Sequence, residues 1–478
     1  MKSHTAGLQQ QFDTRLEFIL SSCSGQGCLP DAQVREGTSR AQTHQSIAVA
    51  YSGGLDSSVL LQLAREFCTS RGIDLFAFHV HHGISPNAGS WLLHCKAQAM
   101  HAGIPFDSAL IQVDSASGEG VEASARSGRY RALGDMCRAR SIPLLLTAHH
   151  QDDQAETLLL QLLRGSGVAG LSGMDLYNKA PQLLGTDAVA IARPLLEQSR
   201  QALQEFATAR EIPFVEDESN ADSKYARNAL RLQVMPILAA ISPGFTERIA
   251  RSARHARSAH RMLLELAQQD VHACTVDGGL DINKMQGFSD DRIDNLLRFW
   301  LSETGVRMPT TARLAEMRKQ LFAARDDARI TVTHDGTGIH RYENRIYASR
   351  HLPTDVQPPA PVHFQWAGED ELHFPGFGGK LHFERADVGL DSEWLRQQSL
   401  TLCLREGGER LRLGLNRPSR DIKSHYQTLR IPFWQRLRLP FVAIGSELLF
   451  AAGVGLHAEH CTDSASDAIQ LRWEADTA

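Results

Sequence analysis

The sequence is 478 residues long, which exceeds one typical domain and predicts about three. Hydrophobic residues make up 42% and charged residues 22%, a balance that excludes a disordered or fibrous chain. The formal net charge is −5, so no overall basic excess marks a nucleic-acid-binding protein. Any such site has to be a local patch.

The apolar stretches and the cysteines exclude further classes of protein. No uninterrupted apolar run approaches the roughly 18 residues of a membrane span, and residues 1–45 are polar without a secretory pattern. We therefore expect no membrane association and a cytoplasmic protein. The eight cysteines are irregularly spaced and form no C-x-x-C pair, which favours reduced, buried thiols over a zinc or iron-sulfur centre.

The pattern of apolar residues predicts the domain organisation. From residue 46 short apolar runs alternate with helical periodicity; the runs are 47–51, 75–80, 109–113 and 143–147. This alternation predicts an α/β fold with a doubly wound parallel sheet. The predicted divisions are a polar N-terminal extension without assigned function (1–45), the α/β domain (46–245), a small mostly helical domain (246–350), a proline-rich linker (351–361) and a C-terminal α+β domain (362–478).

The first motif that indicates chemistry follows the first apolar run. Ile47–Tyr51 leads directly into Ser52–Ser58, with the sequence SGGLDSS, and then into a helical pattern. Glycines allow a ligand to approach the backbone, and a helix N-terminus presents unpaired N–H groups to an anion. An ordinary strand-turn-helix is the alternative, but the spacing favours a phosphate-binding loop. A Walker loop is excluded because no Gly-Lys-Ser/Thr follows.

This loop resembles the motif of the N-type ATP pyrophosphatases, the PP-loop family. The resemblance implies a Rossmann-like fold and the use of ATP to adenylate an oxygen with release of pyrophosphate. It leaves the acceptor of the adenylate open.

Two further motifs lie where the predicted strands end, and a third lies on a predicted helix. His79–Gly83 (HVHHG) follows the second run, and Thr147–Thr157 (TAHHQDDQAET) follows the fourth, where open α/β sheets bind ligands. Asp153 and Glu156 fall one helical turn apart, either as helix-capping acids or as a carboxylate pair for Mg²⁺ or a cationic amine. Glu122, Arg126 and Arg129 share a helix face, as a surface salt-bridge ladder or a phosphate clamp.

Together with Arg405–Arg410 and Ile431–Arg436, these ordered motifs resemble the tRNA(Ile)-lysidine synthetases. The resemblance covers about residue 46 to the C-terminus. It implies ATP- and Mg²⁺-dependent joining of L-lysine to the wobble cytidine of isoleucine tRNA with a CAU anticodon. Cytosine O2 would attack the ATP α-phosphate, and the lysine ε-amine would then displace AMP at C2. His81 and Ser85 replace the more usual Asn and Arg, so neither is assigned a role.

The resemblance also implies roles for individual residues. The loop residues expected to bind the phosphates are Ser52, Gly53, Gly54, Leu55, Asp56 and Ser57. Asp56 is also the expected Mg²⁺ ligand. Asp153 and Glu156 are expected to bind the lysine ammonium group, and Arg227 its carboxylate. The residues expected to stabilise charge around the adenylate are His149, Arg126 and Arg193, the last within the substrate site.

Two basic stretches indicate contact with RNA. Residues 248–261 hold five arginines and no acid, and residues 405–438 hold nine basic residues against three acids. The candidate RNA-binding residues are Arg251, Arg254 and Arg257 in the first stretch and Arg410, Lys423 and Arg436 in the second. Tyr426, Phe433 and Trp434 interleave with the second stretch, as base-stacking side chains do, although buried aromatics give the same pattern.

The leading hypothesis is therefore an ATP-dependent ligase that acts on tRNA, and the resemblance also allows a homodimer. A tRNA thiolase is disfavoured by the lack of paired cysteines, and an amidotransferase-type synthetase would not need two basic stretches. A non-catalytic RNA-binding protein with a nucleotide-binding fold is the alternative from another class. The intact loop at Ser52–Ser57 and the acids around Asp153 argue against it.

Overall fold

The computed structural model describes residues 2–25, 45–81, 83, 87–111, 121–216, 226–323, 330–350, 359–462 and 467–476. The chain divides into two compact units, Met1–Leu266 and Ala267–Ala478. Among the described residues no single helix is long and apolar enough to cross a membrane, although one bent pair, Ala226–Ile241 with Phe245–Cys274, meets that test by length and composition.

The first unit is built on a six-stranded sheet in the order β3-β2-β1-β4-β6-β5, parallel except for β5. Its strands are β1 Ser46–Ala50, β2 Asp74–His81, β3 Phe106–Leu110, β4 Leu144–Leu146, β5 Tyr177–Lys179 and β6 Ala190–Ala192. The predicted doubly wound parallel sheet is confirmed. The third strand begins at Phe106 rather than at the predicted residue 109, because this edge strand is only half buried and gives a weak apolar signal.

Helices cover both faces of this sheet because successive strand residues point to opposite sides. Ile47 and Val49 of β1 face one apolar core, and Ala48 faces the other. The helices are α1 Lys2–Gly25, α2 Leu55–Arg71, α3 Ala88–His101, α4 Val121–Ala139, α5 Gln151–Leu163, α6 Val168–Leu171, α7 Pro181–Leu184, α8 Arg200–Ala209, α9 Ala226–Ala229, a π-helical turn Leu230–Val234, α10 Met235–Ile241 and α11 Phe245–Cys274. The first core receives side chains from α1, α2, α3 and α8, and the second from α4 and α7.

Helix α1 corrects the prediction of a polar extension over residues 1–45. Its residues Leu8, Phe12, Leu16, Ile19 and Cys23 are all buried in the same core as β1. Their spacing of three or four places them on one helix face, although the helix as a whole is polar. The average composition hid this narrow stripe. The N-terminal helix is therefore part of the α/β unit.

The second unit begins with a helical region that also carries a sheet. Helices α12 Asp290–Glu303 and α13 Thr311–Ala323 pack on a five-stranded antiparallel sheet in the order β7-β8-β11-β10-β9. The strands are β7 Thr275–Val276, β8 Gly279–Asp281, β9 Ile330–His334, β10 Thr337–Tyr342 and β11 Arg345–Arg350. Asp277 and Gly278 both have positive φ and close the β7–β8 hairpin. The mostly helical region is confirmed, and the strands within it form this sheet.

The C-terminal part packs two antiparallel sheets around a shared apolar core. The first sheet has the order β12-β16-β19-β20-β21 and the second β13-β14-β23-β15-β22. The strands are β12 Val362–Phe364, β13 Glu371–Phe374, β14 Gly379–Ala386, β15 Gly389–Asp391, β16 Leu400–Cys403, β17 Arg410–Leu411, β18 Arg420–Asp421, β19 Phe441–Ile444, β20 Glu447–Ala451, β21 Gly455–Leu456, β22 Cys461–Thr462 and β23 Ala468–Ala475. With α14 Ser392–Arg396, α15 Ile422–Thr428 and α16 Phe433–Arg436, the α+β prediction is confirmed. Most of the predicted linker lies outside the described residues.

Candidate active site at the carboxyl edge of the parallel sheet

The loop between β1 and α2 has the geometry of a phosphate cradle. Gly53 has φ +85°, and a Cβ there would lie 2.6 Å from the Sγ of Cys95, so both backbone and space require glycine. The Oγ of Ser57 donates to the Gly54 carbonyl at 3.0 Å and lies 3.0 Å from the Oγ of Ser52. These contacts fix the N-terminus of α2, whose first N–H groups have no partner within the helix. The predicted loop therefore presents donors to an anion.

This loop lies at the switch point of the sheet. β2 pairs with one side of β1 and β4 with the other, so the connections after β1 and β4 leave the sheet in opposite directions. The segment after β4 places His150 and helix α5 beside the loop. The Nε2 of His150 lies 3.6 Å from Asp56 Oδ2 and 3.3 Å from Asp153 Oδ2. The imidazole of His150 thus contacts one acid from the predicted phosphate-binding loop and one from the segment after β4.

His150 is a site residue that our sequence analysis did not select. Its side chain is buried, and its backbone N–H donates to Asp153 at 3.0 Å, which caps α5. Burial alone would lower the pKa of His150, but the negative charges of Asp56, Asp153 and Asp152 near its imidazole raise it above the ordinary value. The neighbouring His149 drew attention instead, because one sequence cannot show which of two adjacent histidines faces an acid.

Asp56 combines access with an unsatisfied oxygen. The side chain is 33% exposed, yet its Oδ1 is buried and has no hydrogen-bond partner among the residues that the structure describes. A buried carboxylate oxygen without a donor is costly unless a cation or ligand pairs with it. Asp56 therefore fits the metal-ligand role that its motif position implies.

Asp153 and Glu156 are brought together, but two arginines already contact them. Arg227 Nε donates to Glu156 at 2.8 Å, and Arg231 donates to both oxygens of Glu156, at 2.7 Å from Nε and 3.0 Å from Nη2. Each arginine also places Nη2 near Asp153 Oδ1, at 3.3 and 3.4 Å. Glu156 is almost fully buried, with 1% of its side chain exposed. In this structure the carboxylate pair is a four-residue ionic network rather than an open ammonium site.

The charges around this network bias its protonation. Burial opposes ionisation of Asp153, but the charges of His150 and Arg227 and the hydrogen bond from the His150 backbone N–H outweigh it and lower the pKa of this carboxyl. Burial likewise opposes the charge on Arg231, whose pKa is nevertheless raised by its hydrogen bond and charge pairing with Glu156. Arg231 was also missed. Its spacing of four residues from Arg227 in a helical segment was a usable signal.

His149 and Arg193 lie on the same edge of the sheet. Burial lowers the pKa of His149 to about 3; Asp153 opposes this shift and the charges of Arg193, Arg126 and Arg227 reinforce it. Its imidazole is therefore neutral, and Nδ1 lies 2.9 Å from the Thr147 hydroxyl. Arg193 is buried, and its Nη1 donates to the Asp175 carbonyl and to Asn178 Oδ1, both at 2.8 Å. Arg193 thus holds the strand β5 region as well as lying near the site.

The remaining motif residues separate into structural and exposed groups. His79 is buried with Nδ1 2.9 Å from the Tyr51 carbonyl, and burial lowers its pKa, so it supports the sheet. Arg126 is exposed on α4, with its guanidinium 5.0 Å from the ring centroid of Tyr130. The side chain of Glu122, together with His82, Ser85 and residues 217–225, lies outside the described residues.

The first basic stretch is only partly an exposed surface. Arg251 and Arg254 are exposed on α11, and Arg251 pairs with Glu247 at 2.9 Å. Arg257 instead donates to the Ser172 carbonyl at 2.9 Å and pairs with Asp175 at 2.9 Å. A spacing of three residues rotates by about 60° per step around a helix, so the stretch winds inward by Arg257. Its assignment to RNA is corrected to an internal anchor.

The C-terminal stretch needs a similar correction. Arg410 and Lys423 are exposed, but Arg436 is buried and its Nε donates to the Ile431 carbonyl at 2.6 Å. Tyr426 is fully buried, which favours the core alternative for that aromatic residue. Trp434 stacks on His340 of β10 with ring centroids 4.2 Å apart. Two of the three predicted RNA-binding residues in this stretch thus remain accessible.

Comparison with known proteins places this arrangement in a family. Three family models match in order: a PP-loop domain at residues 31–238, a TilS substrate binding domain at 280–347 and a TilS substrate C-terminal domain at 400–473. The chain is 38% identical to the tRNA(Ile)-lysidine synthase of Burkholderia pseudomallei, over 90% of this chain and 93% of that protein. The chain is 37% identical to the tRNA(Ile)-lysidine synthase of Ralstonia nicotianae, over 86% of this chain and 89% of that protein. The chain belongs to the tRNA(Ile)-lysidine synthase family.

Proposed function

We propose that the edge of the sheet around Asp56, His150, Asp153 and Glu156 is where this chain carries out its family's reaction. As a member of that family the chain is an ATP-dependent ligase that modifies tRNA at the wobble position. The observation that carries the assignment of the site is the convergence of Asp56 and Asp153 on one buried imidazole. It joins the ATP-binding loop to the acidic motif.

The first step needs electrostatic support for a leaving pyrophosphate. The backbone amides at the N-terminus of α2 and the residues Ser52–Ser57 bind the phosphates. Mg²⁺ fits beside Asp56, because its Oδ1 is buried and lacks a donor among the described residues. A bound Mg²⁺ supplies charge neutralisation of the triphosphate. Cytosine O2 then attacks the α-phosphorus, the bond to the bridging oxygen breaks and pyrophosphate leaves with the electron pair.

The second step needs a lysine amine held near C2 of the adenylated cytidine. Asp153 and Glu156 are the acceptors for its ammonium group, which must replace some of the contacts made by Arg227 and Arg231. A guanidinium freed in this exchange becomes available for the lysine carboxylate. The ammonium, with a reference pKa of about 10.4, must lose a proton before it attacks. Asp153 and Glu156, the carboxylates that bind it, are the proton acceptors within reach, and the positive charges of Arg227 and Arg231 assist this loss. The neutral amine then bonds to C2 while the C2–O bond breaks and AMP leaves with the electron pair.

Recognition of the tRNA is proposed to use the exposed basic residues of the chain. Arg251 and Arg254 on α11 and Arg410 and Lys423 in the C-terminal part are accessible, unlike the arginines that the fold itself uses. Guanidinium and ammonium groups on such surfaces bind phosphates with a marked salt dependence. We place the reaction in the cytoplasm, where its ATP and tRNA substrates are found.

The test measures incorporation of labelled lysine into an unmodified isoleucine tRNA transcript with the CAU anticodon, alongside release of AMP and pyrophosphate. A methionine tRNA with the same anticodon is the specificity control. Asp56→Asn should lower the rate on the order of 10²–10³-fold, because charge stabilisation at the phosphates is lost. The matched control is Asp107→Asn. Asp107 lies on β3, is partly exposed and pairs with Arg140.

The outcomes separate the hypotheses. Lysine transfer confined to the isoleucine transcript, lost in Asp56→Asn and retained in Asp107→Asn, supports the proposal. Pyrophosphate release without lysine transfer would indicate another acceptor for the adenylate, as in other PP-loop enzymes. Full activity of Asp56→Asn would show that the site is not at this edge.

A further inference from the structure

We propose that Glu447, His457 and His460 in the C-terminal part form a binding site for one divalent transition metal ion, with Zn²⁺ as the reference ligand. One donor atom from each side chain lies within 4.8 Å of the other two. The Nε2 of His460 is 3.1 Å from Glu447 Oε1. All three residues belong to the second compact unit, whereas the loop at Ser52–Ser57 and the acids of the proposed reaction site belong to the first.

The backbone explains why these three side chains converge. His457 caps a single 3₁₀ turn, Ala458–His460, and in a 3₁₀ helix residues three apart lie on the same side. Glu447 begins β20, which pairs with β21, Gly455–Leu456. The N–H of His457 donates to the Leu449 carbonyl at 2.8 Å, which ties the turn to β20. The site therefore rests on a sheet and a turn that are hydrogen-bonded to each other.

The donor set and its spacing suit a zinc-like ion. A tetrahedral Zn²⁺ with bonds of about 2.0–2.1 Å separates its ligand atoms by about 3.3 Å. The His460–Glu447 separation of 3.1 Å already matches that value. The donor of His457 lies within 4.8 Å of the other two, so it has to approach each of them by at most about 1.5 Å. Two imidazoles and one carboxylate favour Zn²⁺, Ni²⁺ or Co²⁺ over Mg²⁺ and Ca²⁺, which prefer oxygen ligands alone.

The surroundings leave the three donors available. Glu459, in the same turn, pairs with Arg412 at 2.7 Å and therefore does not contribute to the three-residue donor set. Cys461 donates its thiol to the His457 carbonyl at 3.5 Å, and Trp394 stacks on His460 with ring centroids 5.4 Å apart. Glu447 is 55% exposed, which gives an ion and a completing water access to the site. The burial of His457 to 9% exposure restricts its ring.

Occupation of this site would act on the neighbouring basic segment. The N–H of Ala458 donates to the Arg412 carbonyl at 2.7 Å, so the metal-bearing turn is joined to the strand end that carries Arg410. An ion would tie β20, the 3₁₀ turn and this segment together. We infer a stabilising ion for the C-terminal part rather than a second reaction centre. The alternative is a plain Glu447–His460 ion pair that binds no metal.

The experiment uses the full chain after treatment with a chelator. Binding of Zn²⁺ is measured by calorimetry, and binding of Co²⁺ by its visible absorption, which reports tetrahedral imidazole coordination. The variants are His457→Gln, His460→Gln and Glu447→Gln. The matched control is His363→Gln, which removes another histidine of the same part, one that contacts the Thr401 hydroxyl. Circular dichroism without metal checks that each variant is folded.

We expect the parent and His363→Gln to bind one more equivalent of Zn²⁺ than either site-histidine variant, or to bind it at least tenfold more tightly. Glu447→Gln lies at an exposed position, so it tests the site even if a histidine variant fails to fold. The melting temperature of the parent should rise with Zn²⁺, and that rise should shrink in Glu447→Gln. Equal Zn²⁺ affinity, stoichiometry and melting shift in the parent and all variants would overturn the proposal.

Discussion

The α/β unit and the C-terminal part use charged residues in opposite ways. In the α/β unit, Asp56, Asp153 and Arg231 come from segments far apart in the chain and meet at one edge of the sheet, where each is partly buried. In the C-terminal part, Arg410 and Lys423 are exposed and Arg436 is buried against the backbone of its own turn. The motifs at strand ends thus correspond to a cluster of converging side chains, whereas the basic stretch in the C-terminal part mixes exposed residues with a buried one.

The physical reason lies in what gathers the residues. Parallel strands bring the segments after β1 and β4 to the same edge whatever lies between them in sequence, so acids and glycines there are forced together. A basic stretch has no such constraint. Each arginine in it points where its own helix or turn directs it, as Arg254 and Arg257 show by pointing outward and inward from the same helix.

The largest expected effect tests the buried network. Glu156→Gln removes the carboxylate charge that Arg227 and Arg231 contact most closely and leaves them only Asp153. It also removes one of the two acceptors proposed for the lysine ammonium. We expect lysine transfer to fall on the order of 10³-fold, equivalent to about 4 kcal/mol in the barrier. The measurement is kcat/KM for lysine with isoleucine tRNA held in excess.

Two controls make this result specific. Glu205→Gln alters an exposed acid of α8 that accepts a hydrogen bond from Gln201, and it should leave the rate unchanged. ATP binding by Glu156→Gln, measured by calorimetry, should remain within about threefold of the parent, because Glu156 makes no contact with the loop at Ser52–Ser57 in the described hydrogen bonds. A tenfold loss of ATP affinity would instead place Glu156 in the nucleotide site.

A smaller effect tests whether helix α1 belongs with the catalytic unit. Leu16 is fully buried in the core that also contains Val59 and Phe206. Leu16→Ala should lower the free energy of unfolding of this unit by about 2–5 kcal/mol, because it removes apolar contacts and leaves a cavity. Urea denaturation followed by circular dichroism measures this change.

The matched control lies on the opposite face of the same helix. Phe18 is 54% exposed, and Phe18→Ala should change the free energy of unfolding by at most about 0.5 kcal/mol. Equal effects for the two substitutions would mean that α1 does not pack on the core in solution. The polar-extension interpretation of residues 1–45 would then be reinstated for this helix.

The comparison also separates what one sequence could predict from what it could not. β1 and β4 were found because central parallel strands are buried on both faces and are apolar throughout. The stripe of α1 was missed because only about one residue in three of this helix is apolar, which an average over the segment conceals. His150 and Arg231 were missed because their roles depend on acids contributed by other segments. Pairings of this kind are set by the tertiary structure, not by local pattern.

The smallest expected effect concerns the exposed basic residues. Arg410→Ala combined with Lys423→Ala should weaken tRNA binding a few-fold and reduce the slope of log affinity against log salt by about 1–2, since each phosphate contact releases about one counterion. Arg436→Ala should leave that slope unchanged, because its guanidinium is buried and donates to Ile431. It should instead lower stability by about 1–3 kcal/mol, since the buried carbonyl loses its donor. Filter binding at several salt concentrations, together with thermal melts, distinguishes exposed RNA-binding residues from a buried structural arginine. A reduced salt slope for Arg436→Ala with an unchanged melting temperature would mean that Arg436 does bind RNA.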